Sequence, residues 1–210
     1  MNSTFRSWVP ELRPLIVVTF ALFLITAVVY PLAVTGVAQV VFPRQANGSL
    51  LKVNGEAVGS SLIGQRFTEA YYFHGRPSAA GDGYDAASSS GSNLGPTSDK
   101  LLNGIEGEDS FDGIAQRVQA FREENGLPSD AEVPADAVTA SASGLDPHVS
   151  PATARLQVER VAAARHADPE AIRKLVERHV EDAFLGFIGE PRVNVLKLNI
   201  ALDKAFPLEK

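Results

Sequence analysis

From Pro14 to Pro43 the chain reads PLIVVTFALFLITAVVYPLAVTGVAQVVFP, without one charged position. At about 1.5 Å rise per residue such a run makes a helix of roughly 45 Å, longer than the ~30 Å hydrocarbon core of a bilayer requires. The pattern predicts a single transmembrane helix over 14–43, after a tail, residues 1–13, whose flanking charge bias is too slight to set orientation and whose shortness mildly favours the cytoplasmic side. Residues 15–36 suffice to span, and the surplus allows tilt, a kink at Pro31, or helix continuing past the membrane. Arg13 and Arg44 bracket the run, and Trp8 falls near one interface. A cleaved signal peptide is the rival reading, because Gly36 and Ala38 stand three and one positions before a cut at Gln39. Apolar signal regions run to only about 7–15 residues, so the run reads better as a retained anchor.

Beyond the anchor the pattern turns mixed. Asn54-Gly55 marks a hairpin-like turn leading into the short apolar stretch of 53–67. Residues 71–80 read as extended, since Arg76 precedes Pro77 and is pushed out of the helical region. GDGYDAASSSGSNLGPTS, 81–98, has almost no large apolar residue; it reads as a linker or plain loop, or as a loop ordered by side-chain-to-backbone hydrogen bonds. Three helices are then predicted. The first is capped by Asp109 or Ser110, has Ile114, Val118 and Phe121 on one face, and is stopped by Gly126. The second starts at Ser150-Pro151, carries Val158, Val161 and Ala162, and ends near Ala164 or Arg165. The third starts at Asp168-Pro169-Glu170, with Ile172, Leu175, Val176 and His179 on its stripe. The tail, GEPRVNVLKLNIALDKAF, reads as a strand, because Leu196, Leu198, Ile200 and Leu202 alternate with Lys197, Asn199 and Ala201. Val193 and Val195 have the opposite parity, which asks for a doubly covered strand or a bulge near 195. Together these elements predict one compact α+β domain over 44–210.

Charge narrows the function classes. The formal net charge is −6. Taking Arg6, Arg13 and Glu11 from the totals of 19 Lys+Arg and 25 Asp+Glu leaves −7 on the remainder, with no basic cluster of the kind nucleic acid requires. The chain has no Cys, which excludes disulfides, thiol catalysis and lipoprotein anchoring.

Catalytic motifs are missing in turn. No Lys follows a Gly, so there is no phosphate-cradling Walker loop. SASG at 141–144 lacks the first Gly of a nucleophile elbow, and Ser143, Asp146 and His148 crowd into six positions, where triad members normally come from separate elements. No helical His pair offers a metal site; His179 reads as a partly buried helix residue. Asp99-Lys100-Leu101 matches the phosphorylation motif of P-type pumps for two residues only, and Asp99 reads as a polar loop residue.

What stands out is VTASASGLDPHVSP, 138–151. Gly144 admits a positive φ, Pro147 fixes a turn and Ser150-Pro151 nucleates a helix, which predicts a rigid corner with free N–H groups at the helix start.

The anchor ending in Tyr30-Pro31-Leu32, GSSLIGQRF, YYFHGRPSAA, SSSGSNLGPTS, VPADAVTASASGLDPHVSPATA and GEPRVNVLKLN, in that order and over nearly the whole chain, closely resemble one family, the C subunits of the bacterial Kdp high-affinity potassium-transporting ATPase. The resemblance implies a non-catalytic, single-pass subunit of the bacterial inner membrane, N-terminus cytoplasmic and domain extracytoplasmic. Its partners would be a channel-like potassium-translocating subunit and a P-type ATPase subunit. The family is described both as a catalytic chaperone that raises the pump's ATP affinity and as a domain outside the cell over the channel subunit. ATP, if it touches this chain, would do so at Ser143, Gly144 and Gln157. A subunit interface would draw on Ser90, Ser92 and Asn93 in the Gly/Ser loop and on Gly144, Asp146, Pro147 and His148 in the corner. A tethered exported hydrolase and a stand-alone ligand-binding module are the alternatives.

Overall fold

The computed structural model describes residues 3–107 and 110–208, and only the backbone of residues 3–9. The chain divides into two units, 1–50 and 51–210.

The first unit is almost wholly helical. Helix α1 (Ser3–Phe23) runs into a π-helical segment, Leu24–Val29, and then α2 (Tyr30–Val41) and the short α3 (Pro43–Ala46). Among the described residues, one stretch, Pro10–Val41, is long and apolar enough to cross a membrane, and none of its most apolar window is buried in the protein. Its greasy surface therefore requires lipid or partner helices. Instead of a break at Pro31 the helix widens just before it, where the Tyr30 N–H reaches back to the Ile25 carbonyl. Pro31 has no N–H to offer the turn before it, and wider winding absorbs the ring without stopping the helix. Trp8's side chain lies outside what is described.

The second unit mixes helices and short strands. Strands β1 (Leu50–Val53) and β2 (Glu56–Ser60) form a two-stranded ribbon across Asn54-Gly55. Both turn residues have positive φ, 53° and 89°, as a tight hairpin turn requires. Helix α4 (Asp99–Asn103) is capped by Ser98, so Asp99 is a first-turn helix residue, not a loop one. Helix α5 (Ile114–Glu124) starts later than expected: Gly113 is its N-cap, Ser110 sits four residues upstream, and Asp109 lies outside the described residues. Its end is as predicted. Gly126 has φ 63°, with Gly126 N donating to Glu123 O and Leu127 N to Arg122 O, a Schellman closure. After α6 (Ala135–Val138) and β3 (His148–Val149), the second predicted helix is split at Gln157 into α7 (Pro151–Leu156) and α8 (Val158–Ala164). At the split the backbone tightens, Gln157 N bonding Ala154 O, while the carboxamide is drawn away to residue 74. Helix α9 (Pro169–Arg178) is capped by Asp168, and His179, half-buried, ends it with Nδ1 against Leu175 O.

The predicted tail strand is wrong beyond its first residues. After β4 (Val180–Glu181), strand β5 covers only Arg192–Asn194, and α10 occupies Val195–Ala205. Asn194 caps it by accepting from Lys197 N, 3.0 Å. Val195, Leu198, Asn199 and Leu202 are buried at spacing i, i+3, i+4, i+7, and Leu196 is buried beside them. No bulge is needed near 195, because that is where the helix begins. Strand β5 is the centre of an antiparallel sheet ordered β3-β5-β4. Helices α7 to α10 and this sheet enclose a core with Phe73, Val158, Val161, Ile172, Leu198 and Leu202 fully buried, and the unit is α+β.

The stretch expected to be extended begins in a turn instead, Tyr72 N donating to Glu69 O at 3.0 Å, and residues 73–79 that follow join no sheet; the backbone groups buried here must find other partners. Two carboxamides imitate strand neighbours. Asn199 accepts from Phe73 N and donates to Phe73 O, both at 2.9 Å, and Gln157 does the same for His74, at 2.7 and 3.1 Å. Arginines take the carbonyls that remain: Arg160 those of Ala70 and Tyr72, Arg165 that of Tyr71.

Candidate functional site

The corner between α6 and α7 is held from both sides. On one side, Ser143 O accepts from Ser90 N at 3.0 Å and from Ser89 Oγ at 2.9 Å, which docks the glycine-serine loop on it. On the other, Gly144 O accepts from Ser78 Oγ at 2.6 Å, and Leu145 O from Gly64 N at 2.8 Å. Gly144 lies at φ 65°, and a Cβ there would come within 2.5 Å of Ser90 O and 2.7 Å of Ala80 N. Only glycine fits, on grounds of both backbone and space. The 81–98 segment thus contains no helix or strand before α4, yet is pinned by hydroxyl and backbone bonds, the second of its two expected behaviours.

Asp146 is the electrostatic centre. Its Oδ2 is 3.1 Å from Arg76 Nη1, and its Oδ1 accepts from His148 N at 3.0 Å and faces His148 Nδ1 at 3.2 Å. Partial burial pushes this carboxyl's pKa up, but the bonds from His148 and Arg76 outweigh it and hold the group below the ordinary aspartate range. Arg76 also reaches Thr139 O and Ala140 O. Tyr84 closes the back of the corner, its hydroxyl donating to Arg76 O at 2.8 Å, and burial, aided by the nearby Asp146 charge, pushes its pKa up to about 12. Pro147 is buried, and its carbonyl accepts from Val195 N, the first residue of α10, at 2.9 Å. His148 pairs with Asn194 across β3 and β5.

One anchoring residue carries no local signal in the sequence. Asp136, on α6, accepts from Ser150 N (2.6 Å), Ser150 Oγ (2.9 Å) and Thr153 Oγ1 (3.0 Å). A carboxylate facing the first turn of α7 also suits the positive end of a helix.

The remaining positions divide plainly. Ser90 and Ser92 are half-buried beside the corner and Asn93 is exposed at φ 53°. Ser143 is exposed, with Oγ accepting from Leu145 N and next to Ser141 Oγ. The His148 ring faces Asp146 and Asn194, not Ser143, so the three residues are not arranged as a nucleophile–base–acid relay. Gln157 is 1% exposed, and its carboxamide bonds His74 N, His74 O, Thr153 O and Arg160. Both polar atoms of the Gln157 carboxamide are thus engaged by protein groups, and Arg76 at the corner is paired with Asp146. Among the described residues no group of three or more acidic or histidine side chains could hold a metal.

An open hollow of about 580 Å³ lies against the corner, lined by Leu62, Ile63, Arg76, Ser143 and Asp146 among others. Leu62 is 64% exposed on its edge, so the hollow offers apolar and polar surface together.

The model of the family described as "KdpC: K+-transporting ATPase, c chain" matches residues 12–204. The chain belongs to the KdpC family. Its relatives include the potassium-transporting ATPase KdpC subunits of Mycobacterium tuberculosis H37Rv, 54% identical over 95% of this chain and 98% of that one, and of Gemmatimonas aurantiaca, 54% identical over 92% of each. The subunit from Rhodospirillum rubrum is 53% identical over 94% of this chain and 97% of that protein. KdpC membership accounts for the membrane-length helix as that of a transport-complex subunit, and the chain is membrane-associated. The KdpC corner is a shaped surface in which the carbonyls of Ser143, Gly144 and Leu145 are engaged in holding that shape.

Proposed function

We propose that this chain is the non-catalytic subunit of an ATP-driven potassium uptake pump, retained in the inner membrane by its anchor, and that it assembles with and caps the channel-like, ion-conducting partner. In this reading the tail of residues 1–13 is cytoplasmic, 14–43 spans, and 44–210 lies outside. The docking surface is the corner at 141–150 together with the loop at 88–96. The observation that carries this is the locked Ser143-Gly144 turn beside a half-apolar hollow: a rigid, preorganised surface binds a partner with little ordering cost. An effect on the pump's ATP affinity is then indirect, exerted through assembly, because a domain outside the cell is separated from cytoplasmic ATP by ~30 Å of hydrocarbon. The net −7 domain would modestly enrich cations near the pore entrance, within a screening distance of ~8 Å, without selecting K⁺ over Na⁺.

Orientation is the step on which the rest depends, and a chain without Cys makes it easy to test. A single Cys at the exposed Asp130 (Asp130→Cys) is expected to react with a membrane-impermeant maleimide in intact spheroplasts, and the labelled chain to co-purify with the other pump subunits. Labelling only after lysis would overturn the reading.

A further inference from the structure

Strands β4 and β5 are joined by a hairpin whose tip carries Phe184, Leu185, Phe187 and Ile188, respectively 66, 69, 76 and 50% exposed. Four large apolar side chains on five consecutive residues form a concentrated patch, unlike the scattered apolar residues of an ordinary surface. The tip is also built. Phe184 and Ile188 exchange both backbone hydrogen bonds at 2.9 Å, and Gly186 N bonds Ala183 O at 2.9 Å. Leu185 is held at φ 54°, a left-handed conformation unusual for leucine. The fold therefore presents these side chains outward in a fixed shape.

We propose that this hairpin is a second docking element, which inserts Phe184 and Phe187 into an apolar hollow with a cationic rim on another subunit of the pump. The proposal rests on the assembly reading above. Charge selects the occupant. Asp182 and Glu190, both exposed, flank the tip, and no Lys or Arg occurs from 182 to 191. An anionic lipid surface repels such a tip, whereas a protein hollow edged by Lys or Arg complements it. Continuity points the same way: β5 leads from the hairpin to its pairing with β3 at His148 and Val149, so the hairpin and the corner are rooted in one sheet. Buried aromatic anchors at the centre of an interface carry a large share of its affinity.

The test uses the full chain assembled with the other subunits. Phe184→Ser combined with Phe187→Ser is expected to weaken retention in the detergent-solubilised complex by about tenfold or more. The melting temperature of the isolated full chain should be unchanged, since both side chains are exposed. Wild-type chain that fails to co-purify overturns the assembly reading and this proposal with it. Wild-type retained and the double variant retained equally overturns the hairpin alone. Phe187→Cys, labelled with bimane before assembly, supplies an independent readout that keeps the fold intact. Its emission is expected to shift blue and become shielded from iodide on assembly. Quenching of the bimane in the chain alone, in phosphatidylcholine–phosphatidylglycerol vesicles with brominated acyl chains, would assign the hairpin to lipid and overturn the proposal.

Discussion

Asp146 accepts from a guanidinium, an imidazole and a backbone N–H at once, so its amide cannot replace it: one acceptor oxygen would become a donor facing another donor. Hydrogen bonds to a charged group contribute about 1.5–3 kcal/mol each, and Asp146→Asn is expected to destabilise the full chain in detergent by about that amount near neutral pH. The pH dependence follows from the lowered pKa. A group whose pKa is lower folded than unfolded contributes stability above its unfolded value, about 3.9 for aspartate, and loses it as pH falls through the lower folded value. The gap between wild type and Asp146→Asn should therefore be constant at neutral pH and close on the acid side. Glu124 and Glu181 are also held low, by His74 and Lys197 among others, but they are common to both proteins, so the difference isolates Asp146. Urea midpoints across a pH series measure it, and a gap unchanged into the acid range would refute the assignment.

At the scale of elements, α10 and the tail strand predicted in its place make opposite forecasts. A strand would bury Leu196, Leu198, Ile200 and Leu202 on one face, whereas the helix buries Val195, Leu196, Leu198, Asn199 and Leu202 and leaves Ile200 half-exposed, so Ile200 and Asn199 are the positions that tell the two apart. Leu198→Ala should cost about 2–5 kcal/mol, as core truncations do, and Ile200→Ala well under half of that, both read from chemical unfolding. Equal losses would favour the strand. The misreading has a physical source. The helical stripe was in the sequence, but one of its four positions is Asn199, a polar residue buried because it replaces a strand neighbour for Phe73. Elements that announced themselves locally were legible: the Ser150-Pro151 and Asp168-Pro169 starts, the Gly126 stop, the Asn54-Gly55 turn and the long apolar helix near the start. The corner was legible from Gly144, Pro147 and Ser150 for the same reason. Its supports were not, because Ser78, Tyr84 and Asp136 act across 8 to 66 positions of sequence separation, where no local pattern reports them, and the same holds for the two carboxamides on Phe73 and His74, up to 126 positions away.

The whole molecule joins two units with opposite surfaces. Among the described residues the first exposes apolar side chains from Leu12 to Phe42 and buries no apolar one, while the second encloses its own core and carries nearly all of the acidic charge. Stability of the second unit should then be independent of the first, since each core residue from Phe73 to Leu202 is covered by partners within 51–210. Residues 44–210 expressed without the anchor are expected to be soluble, to unfold in one cooperative transition at the midpoint of the full chain in detergent, and to stop sedimenting with membranes. A cooperative transition is the informative part, because a domain whose packing depended on the anchor would lose near-ultraviolet circular dichroism before its helical signal. If the truncated protein melts gradually, or only together with added detergent, the core is not self-sufficient. The anchor would then be a structural part of the domain as well as its tether.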